Sequence, residues 1–126
     1  MLPIIHASRI LLGLLFLAFG LNGFYTFIPV PEYHPFMEIL VSSGYIYLVK
    51  SAEVVCGILL LSNRFVPLAL VVLGFDIINI TTYHLLLDPR NVWIVPILWC
   101  LLLVLIFGYR TYFFELFSFR AKPDLK

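Results

Sequence analysis

Charge is what this chain has least of. Of its 126 residues only 12% are Asp, Glu, Lys or Arg, while 63% are hydrophobic and the mean hydropathy is +1.07. A soluble domain carries about a quarter of its residues as charges, so an ordinary water-soluble globule is excluded and lipid becomes the expected solvent. The net charge of +1 and the lack of a basic stripe with interleaved aromatics argue against nucleic acid as a partner. Cysteine is scarce too. Cys56 and Cys100 each stand alone in an apolar run, which supports neither a zinc site nor a dithiol motif and leaves two thiols acting as small hydrophobes. No H-E-x-x-H, glycine-rich phosphate loop or G-x-S-x-G occurs. His6, His34 and His84 fall at a helix start, in a loop and at a helix end, with His6 on the opposite side, so a bis-His haem is not expected. No cofactor is identifiable from these residues.

What the chain does have is long apolar runs. A hydrocarbon core about 30 Å thick takes roughly 20 helical residues to cross. Spans at about 6–27, 44–61, 65–87 and 89–114 use nearly the whole chain as a single transmembrane domain, 1–126. The expected fold is all-α, an integral membrane antiparallel four-helix bundle with a short interfacial helix, Pro35 to Val41, between the first and second spans. The first run lacks an A-x-A type cleavage site before Phe27 and is read as a retained helix rather than a signal peptide. Arg9, Gly13, Phe16, Gly20 and Gly23 share one face of it, which suits close approach of another helix backbone.

Turn chemistry sets the remaining boundaries. Ile28-Pro29-Val30-Pro31 is expected to end the first span, and Ser62-Asn63-Arg64 to make the second and third spans antiparallel neighbours. Pro67 fits a first helical turn, and Asp88-Pro89 reads as an N-cap with proline at N1 of a fourth span kinked at Pro96. With four spans, Arg9, Arg64, Arg110, Arg120, Lys122 and Lys126 lie on one side and only Arg90 lies in a loop on the other. The positive-inside rule then puts both termini in the cytoplasm.

Three charges fall within the spans themselves. Counted from the 62–64 turn, Lys50 and Asp76 reach similar depths on adjacent helices, and Glu53 is one turn from Lys50 on the same face. Lys50, Glu53 and Asp76 are therefore expected to cluster. One cation against two acids leaves an excess negative charge, so the cluster is expected to share a proton and titrate as a unit. Buried ionisable groups mark sites and pathways, but they also lock helix register, and the two readings weigh about equally. Lys50 has a third option, snorkelling outward past Tyr47. Asn79, Tyr83 and His84 extend the polar side of the third span toward the outer surface. They would make a wall for a polar head such as a quinone ring, although Asn79 also suits a bond to a neighbouring helix. Arg9 reads first as a topological anchor, with holding a carboxylate or lipid phosphate as the lesser reading.

The stretches Arg9-Ile10-Leu11-Leu12-Gly13-Leu14-Leu15-Phe16, Phe19-Gly20-Leu21-Asn22 and Phe24 resemble the opening of DoxX-family membrane proteins. So do Glu53-Val54-Val55-Cys56-Gly57-Ile58-Leu59-Leu60-Leu61, Arg64-Phe65-Val66-Pro67-Leu68-Ala69-Leu70, Asn79-Ile80 and His84. The resemblance implies a four-helix protein of the bacterial inner membrane. It also implies kinship with a thiosulfate:quinone oxidoreductase branch, with membrane oxidoreductase complexes handling thiol stress, and with eukaryotic membrane chaperones or cargo receptors. The family's recurrent polar positions correspond here to Arg9, Glu53, Asn79 and His84, whereas Asp76 departs from the usual pattern. The expected function is an accessory subunit that binds a quinone-like or lipid-like molecule for a membrane or soluble redox partner, with homo-oligomerisation open. The competing expectation is a non-enzymatic scaffold, chaperone or small-solute carrier.

Overall fold

The computed structural model describes residues 1–25 and 34–124. The expected Ile28–Pro31 helix stop and the end of the first span at Phe27 lie outside the described residues. All secondary structure among the described residues is helical. Helix α1 is Leu2–Phe24, α2 is Pro35–Ser43, α3 is Ile46–Ser62, α4 is Val66–Thr82, α5 is Ile94–Gly108 and α6 is Arg110–Phe114. A π-helical turn, Tyr83–Leu87, prolongs α4, and a 3₁₀ turn, Glu115–Phe117, follows α6.

Two helical stretches are long and apolar enough to cross a membrane, Leu2–Phe24 and Val66–Leu87. At about 1.5 Å per residue each runs roughly 33 Å or slightly more. Two bent pairs reach the same standard only when each is joined. These are α2 with α3, bent by 84°, and α5 with the Arg110–Phe117 segment, bent by 82°.

Helix packing follows from small residues on α1 and α3. Gly57 lies so close to α1 that an added Cβ would sit 2.8 Å from the Leu17 nitrogen and 2.9 Å from the Gly13 carbonyl oxygen. Gly20 meets the backbone around Val54 in the same way. Lipid tails are as apolar as leucine, so tight backbone contact of this kind is what holds membrane helices together. Helix α1 packs on α3 and α5, and α4 packs on the same two. The enclosed core contains Leu12, Phe16, Leu60, Leu73, Ile77 and Leu98.

Helix ends account for the departures from expectation. The fourth span does not start at Pro89. Asp88 caps no helix, because although its carboxylate accepts from the Arg90 N–H and side chain, the chain turns on through Asn91 at φ 58° instead of winding into α5. Helix α5 therefore begins at Ile94, which puts Pro96 in its first turn, where its missing N–H costs nothing and no kink is needed. The bend comes instead after Gly108, against which Ile5 of α1 is packed. Asn63 and Phe65 both take left-handed backbone conformations, closing the α3–α4 connection tightly. Gly44, at φ 82°, lets α2 stop and turn sharply into α3.

Candidate functional site

Helices α3 and α4 bring the expected charges together. The Lys50 ammonium pairs with a Glu53 carboxylate oxygen at 3.0 Å across one helical turn, so Lys50 does not snorkel away from the acids. Glu53 is only 3% exposed. The Asp76 carboxyl on α4 lies within hydrogen-bond reach of the Glu53 carboxyl and within the field of Lys50. Glu53 Oε1 is held by its ion pair with Lys50, while Asp76 Oδ2 is buried without a hydrogen-bond partner among the described residues. An orphaned acceptor of this kind is costly and rare, and it asks for an explanation.

These three residues line a cleft of about 560 Å³. Asn79, Tyr83 and His84 line the same cleft, so six of the seven sequence-derived candidates converge on it. Residues that were not site candidates from sequence complete its walls. Phe36, Met37 and Leu40 of α2 cover one side, and Phe19 of α1 reaches in from another. Helix α2 has no buried residue of its own, so it rests on the bundle rather than belonging to the core. The bend at Gly44 is the only local signal that could have aimed this helix back over α4.

The mouth is held by hydrogen bonds around the π-turn. Its register lets the Asp88 N–H bond to the Tyr83 carbonyl at 2.9 Å, where an α-helix would have closed one residue earlier. The Tyr83 hydroxyl donates to Asp88 Oδ2 at 3.2 Å, and Asp88 accepts from Arg90 at 2.8 and 2.7 Å. The Arg90 guanidinium, helped by its backbone N–H and the Tyr83 hydroxyl, holds the Asp88 carboxyl well below the usual range against the opposing effect of burial. His84 Nδ1 lies 3.1 Å from the Asp88 carbonyl oxygen. A carbonyl only accepts, so Nδ1 carries the hydrogen of this contact. Edge-to-face contacts of Tyr83 with His34 and His84 complete this corner.

Arg9 stands apart from the other candidates. It is buried at the far end of the molecule, where its guanidinium donates to the Leu60 and Leu61 carbonyl oxygens. Those are among the last carbonyls of α3, which have no partner within the helix, and a cation also complements the negative end of the helix dipole. Arg9 caps α3, and its Nε is buried without a hydrogen-bond partner among the described residues. Sequence reasoning also missed the bond from Trp99 Nε1 to Thr81 Oγ1 at 2.8 Å, which ties α5 to α4 just behind the cleft. Among the described residues no group of three or more His, Cys, Asp or Glu is arranged to hold a metal ion.

The cleft thus has polar groups in a line along α4, apolar walls from α1, α2 and α5, and the three charges in its lining. Such a shape suits an amphipathic molecule entering head first. No curated protein and no solved structure matches the chain. The DoxX family profile, in contrast, matches residues 4–85, which takes in α1 through α4 and every residue of the charge cluster. This is a membrane protein with apolar helices, and the chain belongs to the DoxX family.

Proposed function

We propose that this protein is a small multi-pass protein of the bacterial inner membrane that binds a quinone-like or lipid-like molecule and serves as an accessory subunit of a membrane oxidoreductase system. In this reading the chain crosses the bilayer four times as an antiparallel bundle. Helix α3 supplies the second crossing and α5 the fourth, while α2, bent away from α3 by 84°, lies in the outer interface. Both termini are cytoplasmic, because Arg9, Arg64, Arg110, Arg120 and Lys122 then share the inner side. Aromatic residues at both ends support the depth assignment, with Phe24 stacked on Tyr47 at one end and Tyr109 donating to Asn63 at the other.

The observation that carries the reading is the shared cleft of Lys50, Glu53, Asp76, Asn79, Tyr83 and His84. The carboxyls of Glu53 and Asp76 attract each other only with a proton between them, and Lys50 balances the remaining charge. A neutral cluster of this kind can take or release one proton as a bound head group changes. Asn79 and His84 contact that head further out, and α2 covers it. The chain offers no flavin, haem or metal motif, so electrons would come from a redox partner or from the bound molecule.

Purification in mild detergent followed by organic extraction tests this directly. A stoichiometric amphipathic molecule distinct from bulk phospholipid is expected, and the variant Glu53→Gln should lose at least about tenfold in its occupancy per folded protein. Bulk phospholipid alone, with Glu53→Gln reducing folded yield only, would assign the charges to holding the bundle together and the protein to a scaffolding role.

A further inference from the structure

Away from the cleft, the segment that follows α5 presents an apolar surface that no other described part of the protein covers. Helix α5 stops at Gly108, and Arg110–Phe117 leaves it at 82°, so this segment lies across the direction of the span rather than along it. Its base is fixed, because the Tyr109 hydroxyl donates to Asn63 Oδ1 in the α3–α4 turn and Phe113 packs against the core. Beyond that base Tyr112, Phe114, Leu116, Phe117 and Phe119 stand out from the bundle, Phe117 being 81% exposed and Phe119 95%. Thr111 and Glu115, one turn apart, make a narrow polar stripe, and the other positions from Tyr112 to Phe117 are aromatic or leucine. An uncovered apolar patch of this kind marks an interaction surface.

Cations flank the patch. Arg110 opens the segment, Arg120 and Lys122 follow it, and Arg64 adjoins Asn63 in the turn that Tyr109 touches. Among the described residues none of these four has an ion-pair partner. Arg110 instead lies over the Phe107 ring, 4.5 Å from its centroid, and donates to the Phe107 carbonyl at 2.9 Å, which fixes a guanidinium where the span ends. A segment set steeply across the end of a span sits at headgroup height, so a lipid leaflet is the partner already beside it. Its rings match the depth that aromatic residues prefer, and its cations match lipid phosphates.

We infer that the segment from Arg110 to Lys122 is an interfacial foot that docks on the leaflet at this end of the bundle and favours anionic phospholipid headgroups there. On the orientation proposed above, that leaflet is the cytoplasmic one. The inference is independent of the cleft and of what occupies it.

Backbone hydrogen exchange of the full-length protein, at one copy per nanodisc, tests it in two lipids. One disc is phosphatidylcholine, and the other mixes phosphatidylcholine with phosphatidylglycerol in equal parts. Amides of residues 112–119 should exchange at least about fivefold more slowly in the anionic disc, since each Lys or Arg near such a surface strengthens attachment by about that factor. Salt at about 1 M, where screening sets in beyond roughly 3 Å, should remove the difference. Arg120→Gln combined with Lys122→Gln should shrink it while leaving exchange within α1 to α5 unchanged, because both side chains are exposed. Equal exchange in the two discs would overturn the preference for anionic lipid. Exchange as fast as in an unstructured peptide in both discs would leave the patch to a soluble partner and overturn the docking. Protection that arises only in discs holding two copies would assign the patch to a second copy of the chain and overturn it equally.

Discussion

Individual residues in this chain earn their positions by what a lipid-filled surrounding denies them. Glu53 is buried and Asp76 half-buried in an apolar bundle, and there they meet each other and Lys50. Arg9, also buried, finds the carbonyls at the end of α3. Depth counting along helices recovers the first grouping from sequence, because rise per residue is fixed and the 62–64 turn makes the two helices neighbours. The same counting could not reveal the partner of Arg9, since backbone carbonyls leave no mark in a sequence. Glycine offers a sharper test at this scale. Gly57→Ala would push a methyl into the backbone of α1, where neither the Leu17 nitrogen nor the Gly13 oxygen can give way. It should cost about 2 kcal/mol of stability. Gly74 has open space around its missing Cβ, so Gly74→Ala should be neutral or gain up to about 1 kcal/mol. Thermal unfolding of the two variants in the same detergent checks the contrast, and equal effects would show that the α1–α3 contact is looser than described.

The elements were legible in proportion to how much of each is decided locally. Apolar runs set α1, α3 and α4 within a few residues, and Pro35 marked the start of α2 correctly, with His34 capping it. The start of α5 was not legible. Asp88-Pro89 reads as a helix start, yet Asp88 is drawn into bonds with Arg90 and with Tyr83 of the π-turn. Its carboxyl is held below its ordinary value of 3.8, so the corner's stabilisation is fully present above that pH and is lost only as acid titrates through the lower folded-state value. Trp93, bonded to Asn91 beside this corner, reports on it. Its fluorescence should stay constant from neutral pH down to about 4 and change only in stronger acid. Asp88→Asn should abolish that acid transition. A transition centred between pH 5 and 7 would mean that the Arg90 lock does not control the corner.

For the whole molecule, the membrane architecture is carried by composition and the cleft by the meeting of four helices and a short fifth. The polar line along α4 was visible as a pattern in sequence. The lid was not, because the aim of α2 depends on one left-handed glycine and on which face of the bundle it meets. The proposed orientation predicts that a cysteine at Asn63 or near Asp124 is labelled by an impermeant thiol reagent only from the cytoplasmic side. A cysteine at Asn91 should be labelled only from the opposite side. Labelling of all three positions from one side would require an even number of crossings between each neighbouring pair and would undo the sorting of basic residues.

The proposed function depends on Lys50, Glu53 and Asp76 lining an occupied cleft. An electron cryomicroscopy map of the protein in nanodiscs of native lipid, with a rigid binder added for size, addresses that directly. It should contain ordered density beneath α2, with polar atoms within hydrogen-bond distance of the Glu53 and Asp76 carboxyls. Those three side chains turned into separate surroundings, with the space between α2 and α4 collapsed, would contradict it.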